Sequence, residues 1–331
     1  MGDRFLCRKG GGCFIGQSGI GKSVGSAQQD ILWSIGEPAF GIQPSKPLRI
    51  LTIQAEDDDG DLSEMSSGII RGLKLTDEQK ALSRENCHYV TCRGYTGPEF
   101  LTKIVRPLLA RGSYDLLRIN PLQAYAGGDV KNTDITSAFL RSGLNPILDE
   151  FQIGNLTVHH TPKVTFRDTK EWKVGDWMYS GAGAADITNW ARAILVIEAT
   201  NDPRVFKFIA AKRGTRIGWT NDTTGEKEFV RYFAHGIEGL YWREATQQEI
   251  TQADTSTKEH KPEELYELTP FHGTIAKDTL LTKATSKGIS ERAAGRFLKE
   301  LIAGGRLFLH NIPRKGTGPE KHVARYEQIP A

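Results

Sequence analysis

The chain has 331 residues, is 38% hydrophobic and 25% charged, and carries a formal net charge of +3, which suits a folded protein with one large and one small core. No apolar run approaches the ~20 residues that span a bilayer, and the opening MGDRFLCRKGGG has no signal-peptide core and places Leu6 where myristoylation wants Ser or Thr. The expectation is a cytoplasmic protein with no membrane partner, whose four cysteines (Cys7, Cys13, Cys87, Cys92) lack zinc-type CxxC spacing and remain free thiols.

Over the first 240 residues, short apolar runs alternate with helical patterns, which predicts an α/β domain with a mostly parallel central sheet. Candidate strands lie at 13–16, 48–56, 88–92, 114–120, 155–160, 193–199 and 205–212. Stretches such as PEFLTKIVRPLLARG and TDITSAFLRSGLNPILDEF repeat apolar residues every three or four positions, as helices with one face on a sheet do. The chain then divides into a large domain over 1–243, a polar linker over 244–265 and a small domain over 266–331.

In the small domain, a helix near 274–287 is followed by ISERAAGRFLKELIAGG, with Phe297, Leu298, Leu301 and Ile302 on one face and Gly304 and Gly305 as its stop. Two short strands come next, joined by PRKGTGPEK. Helices followed by a basic-tipped β-ribbon predict a winged helix-turn-helix. Residues 271–331 hold 11 Lys/Arg against 5 Asp/Glu, so a basic tail follows a mildly acidic body and points to an anionic partner.

The strongest motif is GQSGIGKS, which fits G-x-x-x-x-G-K-[ST] between an apolar strand and a helix beginning near Lys22. Its residues are Gly16, Gln17, Ser18, Gly19, Ile20, Gly21, Lys22 and Ser23. Such a loop turns backbone N–H groups onto phosphate oxygens at a helix N-terminus. Lys22 would reach the β- and γ-phosphates, and the Ser23 hydroxyl would ligate Mg²⁺, so ATP and Mg²⁺ are the expected cofactors.

The order of this loop, LTIQAEDDDGDL, a strand ending before PLQAYAGGD, then TVHHTPK and AAKRG resembles the RecA-like hexameric ATPases of the RepA plasmid-helicase type, over roughly residues 5–215. The resemblance implies a RecA-like P-loop fold and a homo-oligomer, a hexameric ring. It also implies that Glu56 is the general base, with Asp57 beside it. One of His159 and His160 would sense the γ-phosphate; they point to opposite faces of a strand, and His160 is preferred. Lys212 and Arg213 would cross to a neighbouring subunit's nucleotide, in the manner of an arginine finger.

One position departs from the pattern. The strand YDLLRIN ends in Asn120 where a Mg²⁺-supporting aspartate is expected, and an amide brings no charge to the metal. Asp115 cannot replace it, lying five residues earlier, about 16 Å along a strand and on the other face. Arg118 interrupts the same strand and calls for an anionic partner (phosphate, Glu56 or Asp57) or a less buried side of the sheet.

Two strand-end loops, 124–134 and 161–181, occupy the places where RecA-like rings contact DNA. The second mixes Lys163, Arg167, Lys170 and Lys173 with Trp172, Trp177 and Tyr179, a composition suited to single strands. In the small domain Arg292, Arg296, Arg314 and Lys315 would contact duplex DNA. The sequence therefore reads as an ATP-dependent DNA helicase or translocase of a plasmid or mobile element. The alternative is a nucleotide-gated DNA-binding replication regulator that tolerates Asn120.

Overall fold

The computed structural model describes residues 1–161, 172–181, 185–221, 223–254, 260–314 and 317–327. It divides into two compact units, Met1–Thr255 and Ser256–Ala331. The first unit is α/β and is built on a nine-stranded sheet. Its strands are β1 (Gly11–Gly16), β2 (Ile50–Gln54), β3 (Cys87–Thr91), β4 (Leu116–Asn120) and β5 (Gly154–His160). They continue as β6 (Ala193–Ala199), β7 (Val205–Lys212), β8 (Val230–His235) and β9 (Trp242–Glu244).

The strand order is β3-β2-β4-β5-β1-β6-β7-β8-β9. β1 to β6 run parallel, while β7, β8 and β9 are antiparallel additions at one side. Every residue of β1, β2 and β4 is buried, as expected of strands covered on both faces. On one face, Ile15, Leu117 and Ile119 pack with Phe100, Phe139 and Leu148 from the helical segments 97–110 and 133–151. Both segments pass through a π-helical stretch, Phe100–Val105 and Ala138–Leu144. On the other face, Phe14, Ile50 and Leu116 join an aromatic group containing Trp33, Phe40, Phe208 and Trp242.

Helix α1 (Lys22–Ser34) lies on that second face and is tied to the centre of the sheet by ionic contacts. Arg118 is fully buried; its Nε donates to Asp30 Oδ1 at 2.8 Å and to Oδ2 at 3.0 Å, and its Nη2 donates to Oδ1 at 2.6 Å. The same Nη2 donates to Gln29 Oε1 at 3.1 Å, and Thr52 Oγ1 donates to Asp30 Oδ2 at 2.7 Å. The arginine is therefore partnered by α1. This corrects both expectations for it: the anion is not phosphate, Glu56 or Asp57, and the side chain is not on an exposed face.

The polar stretch read as a linker, 244–265, is structured in two places. A helix forms at Gln247–Asp254 within the first unit, and another at Pro262–Leu268 within the second. Its polarity reflects short helices with one buried contact each, Ala253 and Leu265, and not an absence of structure.

The second unit adds helices Lys277–Ser286 and Glu291–Ala303 and a three-stranded antiparallel sheet, with Thr317–Ala324 between Ile275–Ala276 and Phe308–Arg314. Ser290 caps the longer helix by accepting from the Ala293 N–H. Phe297, Leu298 and Leu301 are buried with Leu280 and Val323, while Ile302 packs at the margin of the same core.

Replacing Asp30 by Ala is expected to lower unfolding stability by about 3–5 kcal/mol, because Arg118 is left charged and unpaired in the interior. Adding Arg118→Met to Asp30→Ala is expected to recover much of that loss in urea denaturation. Equal destabilisation by the single and double variants would show that the pair is not what holds α1.

Candidate functional site

The parallel strands β1 to β6 all end at one edge of the sheet, the edge at which open α/β sheets bind ligands. The Gly16–Ser23 loop runs from β1 into α1 at this edge. Gly19 and Gly21 have φ of +77° and +89°, the left-handed region in which glycine is unstrained. Lys22 starts the helix yet is only 5% exposed. Its ammonium turns back over the loop and donates to Gly16 O at 2.9 Å and to the Gln17 carbonyl. Burial pushes this ammonium down to about 8, against a smaller upward pull from Glu56. A cation held on neutral carbonyls in this way is suited to exchanging them for an anion.

The turn after β2 is held by two residues that the sequence did not single out. Gln54 accepts from the Asp57 N–H and donates to Asp57 O, both at 2.8 Å. Arg93 donates to the carbonyls of Ala55, Glu56 and Asp57 at 3.1–3.4 Å. A glutamine ending a buried strand was a readable signal for the first; the second depends on a loop crossing that no local pattern announces. Together they fix the backbone and leave the Glu56 side chain exposed and free to face the loop.

His160 at the end of β5 places Nε2 3.8 Å from Glu56 Oε1. Burial, reinforced by nearby Lys22, holds its imidazole below the ordinary histidine range, and Glu56 opposes the shift. The ring is therefore neutral at pH 7, and its buried Nδ1 has no hydrogen-bond partner among the described residues. Asp57 is raised above the usual carboxylate range by burial, then by Glu56, Asp61 and Asp58. His159 is fully buried, so its neighbour is the histidine at the open edge.

Asn120 ends β4 and is buried, in register with Gln54 of β2. Asp115 lies at the opposite edge, where Arg8 and Lys46 approach its Oδ1 at 2.9 and 3.0 Å. Ser23 stands on the first turn of α1. Among the described residues no group of three or more His, Cys, Asp or Glu could hold a metal by itself. A divalent ion here would meet the Ser23 hydroxyl and the Asn120 amide, with charge supplied by the bound anion.

Lys212 and Arg213 are not part of this edge. β7 is antiparallel to β6, with Lys212 opposite Ile194 near the start of that strand. Lys212 is thus level with Cys13 of β1, three residues or about 10 Å along the strand from Gly16. Lys212 donates to Thr188 O at 2.6 Å, and burial lowers its ammonium from the ordinary range. Arg213 follows in a left-handed conformation, with φ of 63°.

Of the loop expected to contact single strands, Lys163, Arg167 and Lys170 lie outside the described residues. Lys173 and Tyr179 are exposed, but Trp177 is buried and packs edge-on against Trp172 at 5.0 Å. In the second unit, Arg292, Arg296 and Lys299 are exposed along Glu291–Ala303 and line, with Lys277, a groove of about 1040 Å³. Lys315 and the Arg314 side chain lie outside the described residues. No helix among the described residues is long and apolar enough to cross a membrane.

Histidine ring resonances followed through a pH titration test the geometry of the edge. Glu56→Gln is expected to lower the His160 pKa further, because a carboxylate favours the imidazolium. Lys22→Met is expected to raise it, because an adjacent ammonium is removed. No change in either variant would mean that the three side chains do not share one site.

No protein-family model matches the chain, and no curated protein matches it.

Proposed function

We propose that this chain is a P-loop ATPase with a RecA-like core and a C-terminal winged helix, working as a ring-shaped homo-oligomer that moves DNA. The observation that carries the reading is the convergence of Lys22, Glu56 and His160 at the edge where the parallel strands end. Lys22 would give up its loop carbonyls for phosphate oxygens, and the Gly16–Ser23 backbone would complete the cradle. Glu56, exposed and held from behind by Arg93, would take a proton from the attacking water. His160, whose Nε2 faces Glu56 at the same edge, would donate to or accept from the terminal phosphate or its water. Mg²⁺, when bound by Ser23 and Asn120, would neutralise charge on the phosphates.

In such a ring Lys212 and Arg213, which lie away from their own loop edge, would act on a neighbouring copy's nucleotide, Lys212 giving up its bond to Thr188 O. The exposed cations of helix Glu291–Ala303 support duplex binding by the winged helix, and Lys173 with Tyr179 supports contact with single strands. A second reading, a DNA-binding regulator gated by nucleotide, is favoured by Asn120: the buried end of β4 brings no charge to the metal.

Steady-state ATP hydrolysis with and without single-stranded DNA separates the two. The expected result is slow turnover that DNA stimulates, with Asn120→Asp faster by about tenfold or more through tighter Mg²⁺ binding. ATP and DNA binding with no hydrolysis by either version would reject the motor and leave the regulator.

A further inference from the structure

The turn that follows β2 is held more firmly than an exposed turn needs. Arg93 is exposed, and its guanidinium donates to three successive main-chain carbonyls: Nε to Ala55 O at 3.1 Å, and Nη2 to Glu56 O at 3.4 Å and to Asp57 O at 3.2 Å. Water could satisfy such carbonyls at the surface, so their solvation does not call for an arginine. What the guanidinium adds is a rigid fork that fixes where the turn sits. Glu56 is the middle residue of that turn, with Oε1 3.8 Å from His160 Nε2.

Arg93 is itself tied to a neighbouring segment on both sides. Cys92, which follows β3, donates its N–H to Gln54 O at 2.9 Å, and its carbonyl accepts from the Tyr125 hydroxyl at 2.7 Å. Tyr125 ends the short helix Leu122–Tyr125; it is 1% exposed, and its ring stacks on Phe100 at 4.0 Å with planes 20° apart. Beyond Arg93, Gly97 runs against Gly127, with φ of +56° and +84°. A Cβ at position 127 would lie 2.7 Å from Gly97 Cα, so the two backbones touch and only glycine fits there. Segments 92–97 and 122–127 are therefore packed together, and Arg93 is the side chain by which they grip the Glu56 turn.

We infer that Arg93 is a positioning residue: it carries the placement of segment 122–128 to the Glu56 carboxylate. The inference rests on the proposed reading of Glu56 as general base and of loop 124–134 as a contact for single-stranded DNA. The segment opens that loop, so a strand seated on the loop would shift Arg93 and, through the turn, set Glu56 against the attacking water. The route is a chain of direct contacts, from the loop to Tyr125, from Tyr125 to Cys92 O, and from Arg93 to the carbonyls on either side of Glu56. Such a lever is sensitive, since a misplacement of about 1 Å costs on the order of a hundredfold in rate.

His160 reports the position of Glu56 in the full chain, because the two effects of removing Arg93 have opposite signs there. Loss of a nearby cation alone raises the imidazole pKa, whereas release of the Glu56 carboxylate lowers it. In a histidine-resonance titration Arg93→Ala is expected to lower it toward the Glu56→Gln value, Tyr125→Phe to lower it less, and Arg93→Lys to restore part of the drop. In the Glu56→Gln background, Arg93→Ala is expected to give no further drop. In steady-state hydrolysis Arg93→Ala is expected to reduce kcat about tenfold with KM for ATP unchanged, and to lose most of the stimulation by an oligodeoxythymidylate. A His160 pKa that Arg93→Ala leaves unchanged or raises overturns the inference, as does a Tyr125→Phe variant that titrates like the parent. If both variants lower it but kcat does not fall, or the parent turns over no ATP, Arg93 still sets Glu56 and the general-base reading is what fails.

Discussion

A single buried ion pair fixes the geometry on which the candidate site depends. Arg118, at the centre of β4, and Asp30, in the last half of α1, are both sealed from solvent and share charge-assisted hydrogen bonds. Taking two charges out of water is costly, and their attraction repays this only in a fixed arrangement. Asp30 is also held by Thr52 of β2, so one carboxylate joins α1 to two strands. Gln28, two residues earlier, joins the same helix to β9. Clamped toward the sheet in this way, α1 presents its N-terminus, and the glycine loop before it, at the edge where the strands end.

At that edge the electrostatics are poised for an anion. Lys22 is buried on neutral carbonyls with its ammonium lowered to about 8, and His160 is kept neutral beside it. Both shifts come first from burial, and each group would regain its charge more readily with a phosphate in place. Glu56 is the exposed carboxylate in the group, and its backbone is held by Arg93. Asn120 ends β4 without a charge. Under the proposed reading, the edge would serve triphosphate binding more completely than turnover.

How much of this was legible follows from how local each signal is. The glycine loop could be read from eight consecutive residues, because their spacing is itself the geometry. The seven strands expected from the sequence all form; 193–199 and 205–212 have the expected bounds, and the ends of the other five differ by at most two residues. β8 and β9 were missed, since VRYFAH and WRE are short and half-buried. Arg118 stands out in the sequence as a charge in an apolar strand, while nothing beside it points to its partner. Asp30, another charge amid buried helix residues, was the complementary anomaly, and pairing two such misfits of opposite sign would have found the contact. Arg93 and the aromatic group on the second face of the sheet depend on loop crossings and on strands that join only in three dimensions. The polar stretch 244–265 misled because low hydrophobicity also describes short helices with a single buried residue.

The central claim is that Lys22 and its loop bind the phosphates of a nucleotide, and calorimetric titration of ATP into the parent chain and Lys22→Ala tests it most directly. The expected result is saturable binding by the parent and a loss of about tenfold or more in the variant, the effect of removing a charge-assisted contact. Equal ATP affinity in the two proteins would contradict the claim and leave the edge without its proposed ligand.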